Sequence, residues 1–213
     1  MYKRQINIGA VYTLGRTLHG DAYKYHQTGA ESNGSIYVQS QTGDTIPNPF
    51  KMPHTFGIGL TYVYDNRLTI GVDYTLQKWN TADLAWSKFN KESVEMNSRT
   101  KIAFGAEFVP SYISHNYLKR IRYRMGAYYS SPYNKVSYTS PDTGTTSFQD
   151  GAREYGVSIG FGLPMFQSKS MLNISGQYIK VSPKFKGLME ENYLRINIGL
   201  TFNERWFMKW KVD

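Results

Sequence analysis

The sequence predicts an all-β chain, an antiparallel up-and-down transmembrane β-barrel with eight strands visible. Three observations carry that expectation. Segments of about ten residues alternate apolar and polar side chains. The connections between them alternate between long and short. Glycine is concentrated on the polar face of the segments.

The clearest stretch is HTFGIGLTYVYDNRLTIGVDYTL, residues 54–76. Phe56, Ile58, Leu60, Tyr62 and Tyr64 fall on one face, and Leu68, Ile70, Val72, Tyr74 and Leu76 continue it beyond Asp65-Asn66. A period of two means extended strands, and Asp-Asn between them means a tight hairpin. This places strands near 54–64 and 67–77. The same alternation places a first strand near 5–15, where Ile6, Ile8, Ala10, Tyr12 and Leu14 share a face. Further strands follow near 99–109 (Ile102, Phe104, Ala106, Phe108) and 120–130 (Ile121, Tyr123, Met125, Ala127, Tyr129). The last three lie near 153–163, 171–181 and 193–203, the third carrying Leu194, Ile196, Ile198, Leu200 and Phe202. Ten residues at a tilt near 45° is the length that a hydrocarbon core asks of a strand.

Long connections are expected at 16–53, 78–97 and 132–152, with shorter ones between. The polar, glycine-bearing stretch within 16–53 has room for a short hairpin outside the membrane. Residues 1–213 read as one domain, with no linker.

The polar face decides what the apolar face touches. It carries Gly9, Gly57, Gly59, Gly71, Gly105, Gly126, Gly156, Gly160, Gly162 and Gly199. A solvated outer face has no use for that empty space, whereas the concave inside of a barrel does. Its charges are of mixed sign. The apolar face is therefore assigned to lipid and the polar face to a lumen.

Composition agrees with this and excludes other classes. No stretch approaches the eighteen apolar residues of a membrane helix, and mean hydropathy is −0.50. A β-barrel is compatible with that value because half of each strand is polar. Cysteine is absent, so neither a disulfide framework nor a thiolate metal site is available. The net charge of +9 is scattered without a basic run, so anionic lipid and lipopolysaccharide fit as partners and nucleic acid does not. MYKRQINIGAVYTLG lacks the apolar core and small-residue site of a secretory signal, so a mature form or a fragment is expected.

No catalytic constellation stands out, and none is assigned. His19, His26, His54 and His115 have no ligand spacing, and GFGLP at 160–164 follows strand spacing rather than opening a helix. No metal and no cofactor is expected, and no enzyme activity. The candidate lumen residues for a ligand or ion-pair role are Asp73, Glu107, Arg122, Arg124, Glu154, Gln177, Arg195 and Asn197, chosen by strand phase. Glu107 near the end of one strand and Arg122 and Arg124 near the start of the next should lie side by side near the short-turn end. The arrangement fits either an ion pair inside the wall or a seat for a ligand's carboxylate. Tyr62, Tyr64, Trp79, Tyr129, Tyr155, Trp206 and Phe207 are candidate interfacial aromatics; Trp86 is less clearly placed.

The segments FGAEFVPS, IRYRMGAYYS, GVSIGFGLP and NYLRINIGLTFNERWFMKWKVD resemble the C-terminal part of the FadL/TodX-type long-chain fatty acid outer-membrane transporters, in their Bacteroides-like branch. The resemblance spans roughly residues 54–207 and consists of barrel motifs, not catalytic ones. It implies the last eight strands of a fourteen-stranded barrel, with an N-terminal barrel half and hatch missing from this chain. It also implies non-catalytic uptake of hydrophobic solutes, such as long-chain fatty acids or aromatic hydrocarbons, through the bacterial outer membrane. The chain ends in MKWKVD rather than on the aromatic residue common in outer-membrane barrels. Two other readings stand beside this one. One is a self-contained eight-stranded outer-membrane barrel with an adhesin or structural role, and the other is a soluble β-sheet binding domain.

Overall fold

The structure is a computed structural model and describes residues 4–32, 35–48, 50–81, 95–139, 144, 146–165, 170–183 and 189–202. Strand β1 (Arg4–Thr13) opens the chain. Two small pairs follow, β2 (Thr17–Leu18) with β5 (Phe50–Lys51) and β3 (Asp21–Ser32) with β4 (Ser35–Pro47). Then come β6 (Thr55–Tyr64), β7 (Leu68–Gln77), β8 (Arg99–Phe108) and β9 (Arg122–Ser130). A short hairpin of β10 (Lys135–Thr139) and β11 (Thr146–Asp150) precedes β12 (Ala152–Pro164), β13 (Met171–Pro183) and β14 (Glu191–Thr201).

The eight long strands form one antiparallel sheet in the order β1-β6-β7-β8-β9-β12-β13-β14. Strands adjacent along the chain are adjacent in space once the hairpins are passed over, which is an up-and-down meander. Register keeps phase throughout. Ile8 faces Leu60, Leu60 faces Val72, Val72 faces Phe104, and Phe104 faces Ala127. Ala127 then faces Val157, Val157 faces Tyr178, and Tyr178 faces Leu194. Because the side-chain period is two, this row fixes one apolar face across the whole sheet.

Local chemistry sets the turns. Asp65 and Asn66 both take positive φ, 49° and 52°, and the Arg67 amide donates to the Tyr64 carbonyl at 2.9 Å. That is the primed turn whose twist matches a hairpin, made with the residue types that tolerate it. Between β8 and β9 the chain makes a helical turn, Tyr117–Arg120, capped by the Asn116 side chain, which accepts from the Leu118 amide at 3.0 Å. This turn starts β9 at Arg122, two residues later than the alternation suggests.

The structure enlarges the hairpin expected within 16–53 and, among the described residues, does not show the eight strands closed. The connection at 16–53 is not mainly loop. It holds the β3–β4 ribbon, with a bulge between Thr28 and Gly29, closed at its base by β2 and β5. Its apolar residues are few, among them Tyr23, Tyr25 and the buried Ile46, so alternation marks only a short part of it in the sequence. Barrel closure is not seen among the described residues. β1 pairs with β6 alone and β14 with β13 alone, which leaves an unpaired edge on each. Every residue of β1 is exposed, as is nearly every residue of β14.

Candidate functional site

The two faces of the sheet are the features that can act. The apolar face is exposed on all eight strands. Ile8 is 76% exposed, Ile198 73% and Ile196 68%, and Ile58, Phe104, Met125, Ile159 and Tyr178 are exposed between the edges. The few buried apolar residues, among them Val109, Ile121 and Ile179, make no core under this sheet. An apolar surface of this extent marks an interaction surface.

Aromatic rings border it at both ends. At the long-connection end Tyr12 packs on Phe56 with centroids 4.9 Å apart, and Tyr129 on Tyr155 at 5.1 Å. At the short-turn end Tyr123 meets Phe161 edge-on at 5.9 Å, and Arg4 lies over the Tyr64 ring. Strand β6 runs between these ends for ten residues. That is about 33 Å along its axis, or about 25 Å in height at a barrel-like tilt of 40°.

Of the candidate interfacial aromatics, Tyr64, Tyr129 and Tyr155 lie in these borders, and Tyr62 sits two residues before Tyr64 in β6. Trp79 belongs to the 3-10 turn Trp79–Thr81, where its ring packs against Tyr133 at a tilt of 36°, centroids 5.6 Å apart, and its indole N–H donates to Gln77. Trp86, Trp206 and Phe207 lie outside the described residues.

The opposite face carries two polar clusters. In the first, the Glu107 carboxylate sits between two guanidiniums. It accepts from Arg122 Nη1 at 3.1 Å and from Arg124 Nε at 2.6 Å. The cause is register: Glu107 faces Arg124 across the β8–β9 ladder, and Arg122 is the next residue of the same phase. Arg124 Nη1 also donates to the Asn173 side chain at 2.8 Å, which extends the cluster over β12 to β13. All three charged side chains are about one-third exposed.

In the second cluster the Tyr128 hydroxyl donates to Glu154. Arg99 lies 3.6 Å from that carboxylate, and the Lys101 ammonium lies over the Tyr128 ring at 4.7 Å. Arg99 Nε also donates to the buried Ser130 hydroxyl at 2.7 Å.

Glycine lets these side chains lie flat against the wall. A Cβ on Gly156 would stand 2.0 Å from the Tyr128 ring, and one on Gly59 would stand 2.5 Å from Asp73 Oδ1. Gly9, Gly105 and Gly199 face open space instead. A hollow of about 310 Å³ lies beside the first cluster, bordered by Arg124, Ser158, Asn173, Ser175, Gln177 and Asn197. Gln177 faces Arg195 across the β13–β14 ladder, and Asn197 faces Ser175. The structure thus joins Glu107, Arg122 and Arg124, sets Glu154 apart from them, and leaves Asp73 on the far side against Gly59. Sequence reading passed over Asn173, Tyr128 and Arg99. Tyr128 and Glu154 share a strand phase, which was the available signal.

The histidines do not assemble. His54 Nδ1 is hydrogen-bonded with the Tyr12 hydroxyl at 2.7 Å and accepts from the Gly15 amide at 3.2 Å. No group of three or more ligating side chains occurs among the described residues.

The site is thus an all-β antiparallel sheet with one exposed apolar face and one polar, glycine-lined face. A family model described as BamG matches residues 2–213, and the chain belongs to the BamG family. The protein is a component of the bacterial outer membrane. No curated protein and no solved structure matches the chain.

The family match corrects the resemblance to FadL/TodX-type transporters. With it go uptake of long-chain fatty acids or aromatic hydrocarbons and a hydrophobic small-molecule ligand. The reason is physical. The segments that carried the resemblance show alternation, polar-face glycines and proline-ended strands, features that antiparallel sheets of different families share. They report architecture rather than cargo.

Proposed function

We propose that this chain is a structural, non-catalytic wall that crosses the outer membrane with its eight long strands and works within the outer-membrane protein assembly (BAM) complex. The observation that carries the membrane part is the apolar face exposed on every long strand and bordered by aromatic rings at both ends. The family name supports the assembly part. In hydrocarbon an unpaired backbone N–H or C=O is too costly to persist. The edges of β1 and β14 are therefore taken up by strands, and the wall is part of a closed β-barrel. The polar clusters brace its inner surface.

The test is a photo-crosslinking residue placed at Asn7 or Asn197, on the two edges, and at Phe104, in mid-sheet, of the full-length protein in native outer membranes. Edge adducts with another subunit of the assembly machinery, or between β1 and β14 of one chain, support the reading. Adducts to lipid alone at all three positions would sink it, as would recovery of the protein in the soluble fraction.

A further inference from the structure

The connection between β8 and β9 is built as a rigid platform. Val109, at its base, is fully buried, and its amide donates to the Arg67 carbonyl at 2.7 Å. The Tyr112 hydroxyl donates to the Asn66 carbonyl, which ties the loop to the neighbouring turn. The Ser111 amide donates to the Lys119 carbonyl at 2.8 Å, closing the loop on itself. The Tyr123 hydroxyl donates to the Leu118 carbonyl at 3.0 Å, joining it to the aromatic border.

This tied-down loop nonetheless displays two large apolar side chains. Ile113 is 91% exposed and Leu118 62%. Between 109 and 121 the chain contains Tyr112, His115, Tyr117, Lys119 and Arg120 and no acidic residue. The nearest carboxylates are occupied, Glu107 by Arg122 and Arg124 and Asp65 by Arg67. The loop leaves the sheet one residue after Phe108 and rejoins it just before Tyr123, so it continues the apolar band at the height of its aromatic border.

Apolar side chains, tyrosines and the Lys119 ammonium, in a loop without a carboxylate, together match the boundary layer of an anionic bilayer. There acyl tails take the first, the interface the second, and phosphate groups the third. We infer that residues 109–121 form a membrane-interface anchor. Ile113 and Leu118 enter the acyl boundary, while Lys119 and His115 meet the phosphates of anionic phospholipid. The anchor rests on the membrane-wall reading above and adds a lipid-facing site to it.

The chain has no native cysteine, so single labels report cleanly. The experiment places a bimane label at Ser114→Cys, and separately at Ile196→Cys, in the full chain reconstituted in phosphatidylcholine vesicles with or without phosphatidylglycerol. Quenching by brominated lipids and by aqueous iodide is read. The anchor requires that Ser114 be quenched by bromines near the headgroups, more so with phosphatidylglycerol. Lys119→Gln should raise the iodide-accessible fraction roughly fivefold in the anionic vesicles. Ile113→Ser with Leu118→Ser should release the label, and these exposed positions leave the fold intact.

If Ile196 is quenched by deep bromines while Ser114 stays open to iodide in every vesicle, the anchor is wrong and the wall reading survives. If Ile196 is not quenched, the wall reading fails and the anchor with it. Shielding of Ser114 only after another protein is added would also overturn the lipid assignment.

Discussion

Replacing Glu107 with Gln keeps the size of the side chain and removes the charge that holds Arg122 and Arg124 together. Two charge-assisted hydrogen bonds, at 3.1 and 2.6 Å, are converted to neutral ones or lost. A bond to an ionised partner contributes about 1.5–3 kcal/mol when well shielded. Here the three side chains are 33%, 26% and 38% exposed, so solvent screening brings each bond to roughly 1 kcal/mol. The repulsion between the two guanidiniums, two residues apart on one strand face, is common to parent and variant and cancels in the comparison. The net expectation for E107Q is therefore a loss of about 2 kcal/mol, from the two bonds. Arg124→Met should cost more than Arg122→Met, because Arg124 also holds Asn173. The assay is urea unfolding of the protein folded in lipid vesicles, followed by the mobility of unheated samples in electrophoresis. If E107Q unfolds within about 0.5 kcal/mol of the parent, the cluster is an ordinary solvated pair and the bracing argument fails.

Three more outcomes follow from the geometry. Gly156→Ala should destabilise by about 1–3 kcal/mol and shift the near-ultraviolet circular dichroism, because its Cβ displaces the Tyr128 ring from Glu154. Gly9→Ala meets open space and should be neutral or gain about 0.5 kcal/mol in the same urea series. Ile196→Arg, on the apolar face, should lose about 2–4 kcal/mol of stability in vesicles if that position lies near mid-bilayer, whereas Asn197→Arg on the opposite face should change it little.

Most of the sheet was legible because its signal is local. Each segment carries its own alternation, and the strands of the long sheet lie within two residues of the alternating segments. A buried face is not needed to see a period of two, only a difference between faces. The β3–β4 ribbon was legible only as a short hairpin, since its alternation, Tyr23 and Tyr25 against Lys24 and His26, covers four residues of a twelve-residue strand. Within the site, adjacency along the chain was enough to foresee Glu107 beside the two arginines. The bond from Arg124 to Asn173 crosses an intervening strand, β12, where Gly160 and Gly162 leave the space. Such a contact depends on the order of strands and not on any one strand's pattern.

What meets the two edges is constrained by the same alternation. β1 and β14 are the ends of an unbroken antiparallel series of eight strands, so they run opposite to each other. Ile6, Ile8 and Ala10 on β1 lie on the same face as Leu194, Ile196 and Ile198 on β14. A strand that docks on either edge must be antiparallel to it and must carry apolar side chains in that phase. A slip of one residue would turn its polar side chains into lipid. β1 and β14 meet that condition for each other, within one chain or between two. A strand of another outer-membrane subunit meets it only if its own alternation is in step. The backbone edge supplies the attraction without regard to sequence, and the hydrophobic phase supplies the selection. On the proposed reading, a partner that joins this sheet through a strand edge is therefore selected by register. Substituting Ile8 or Ile196 with a charged residue should abolish edge pairing while leaving the interior ladders from β7 to β12 intact.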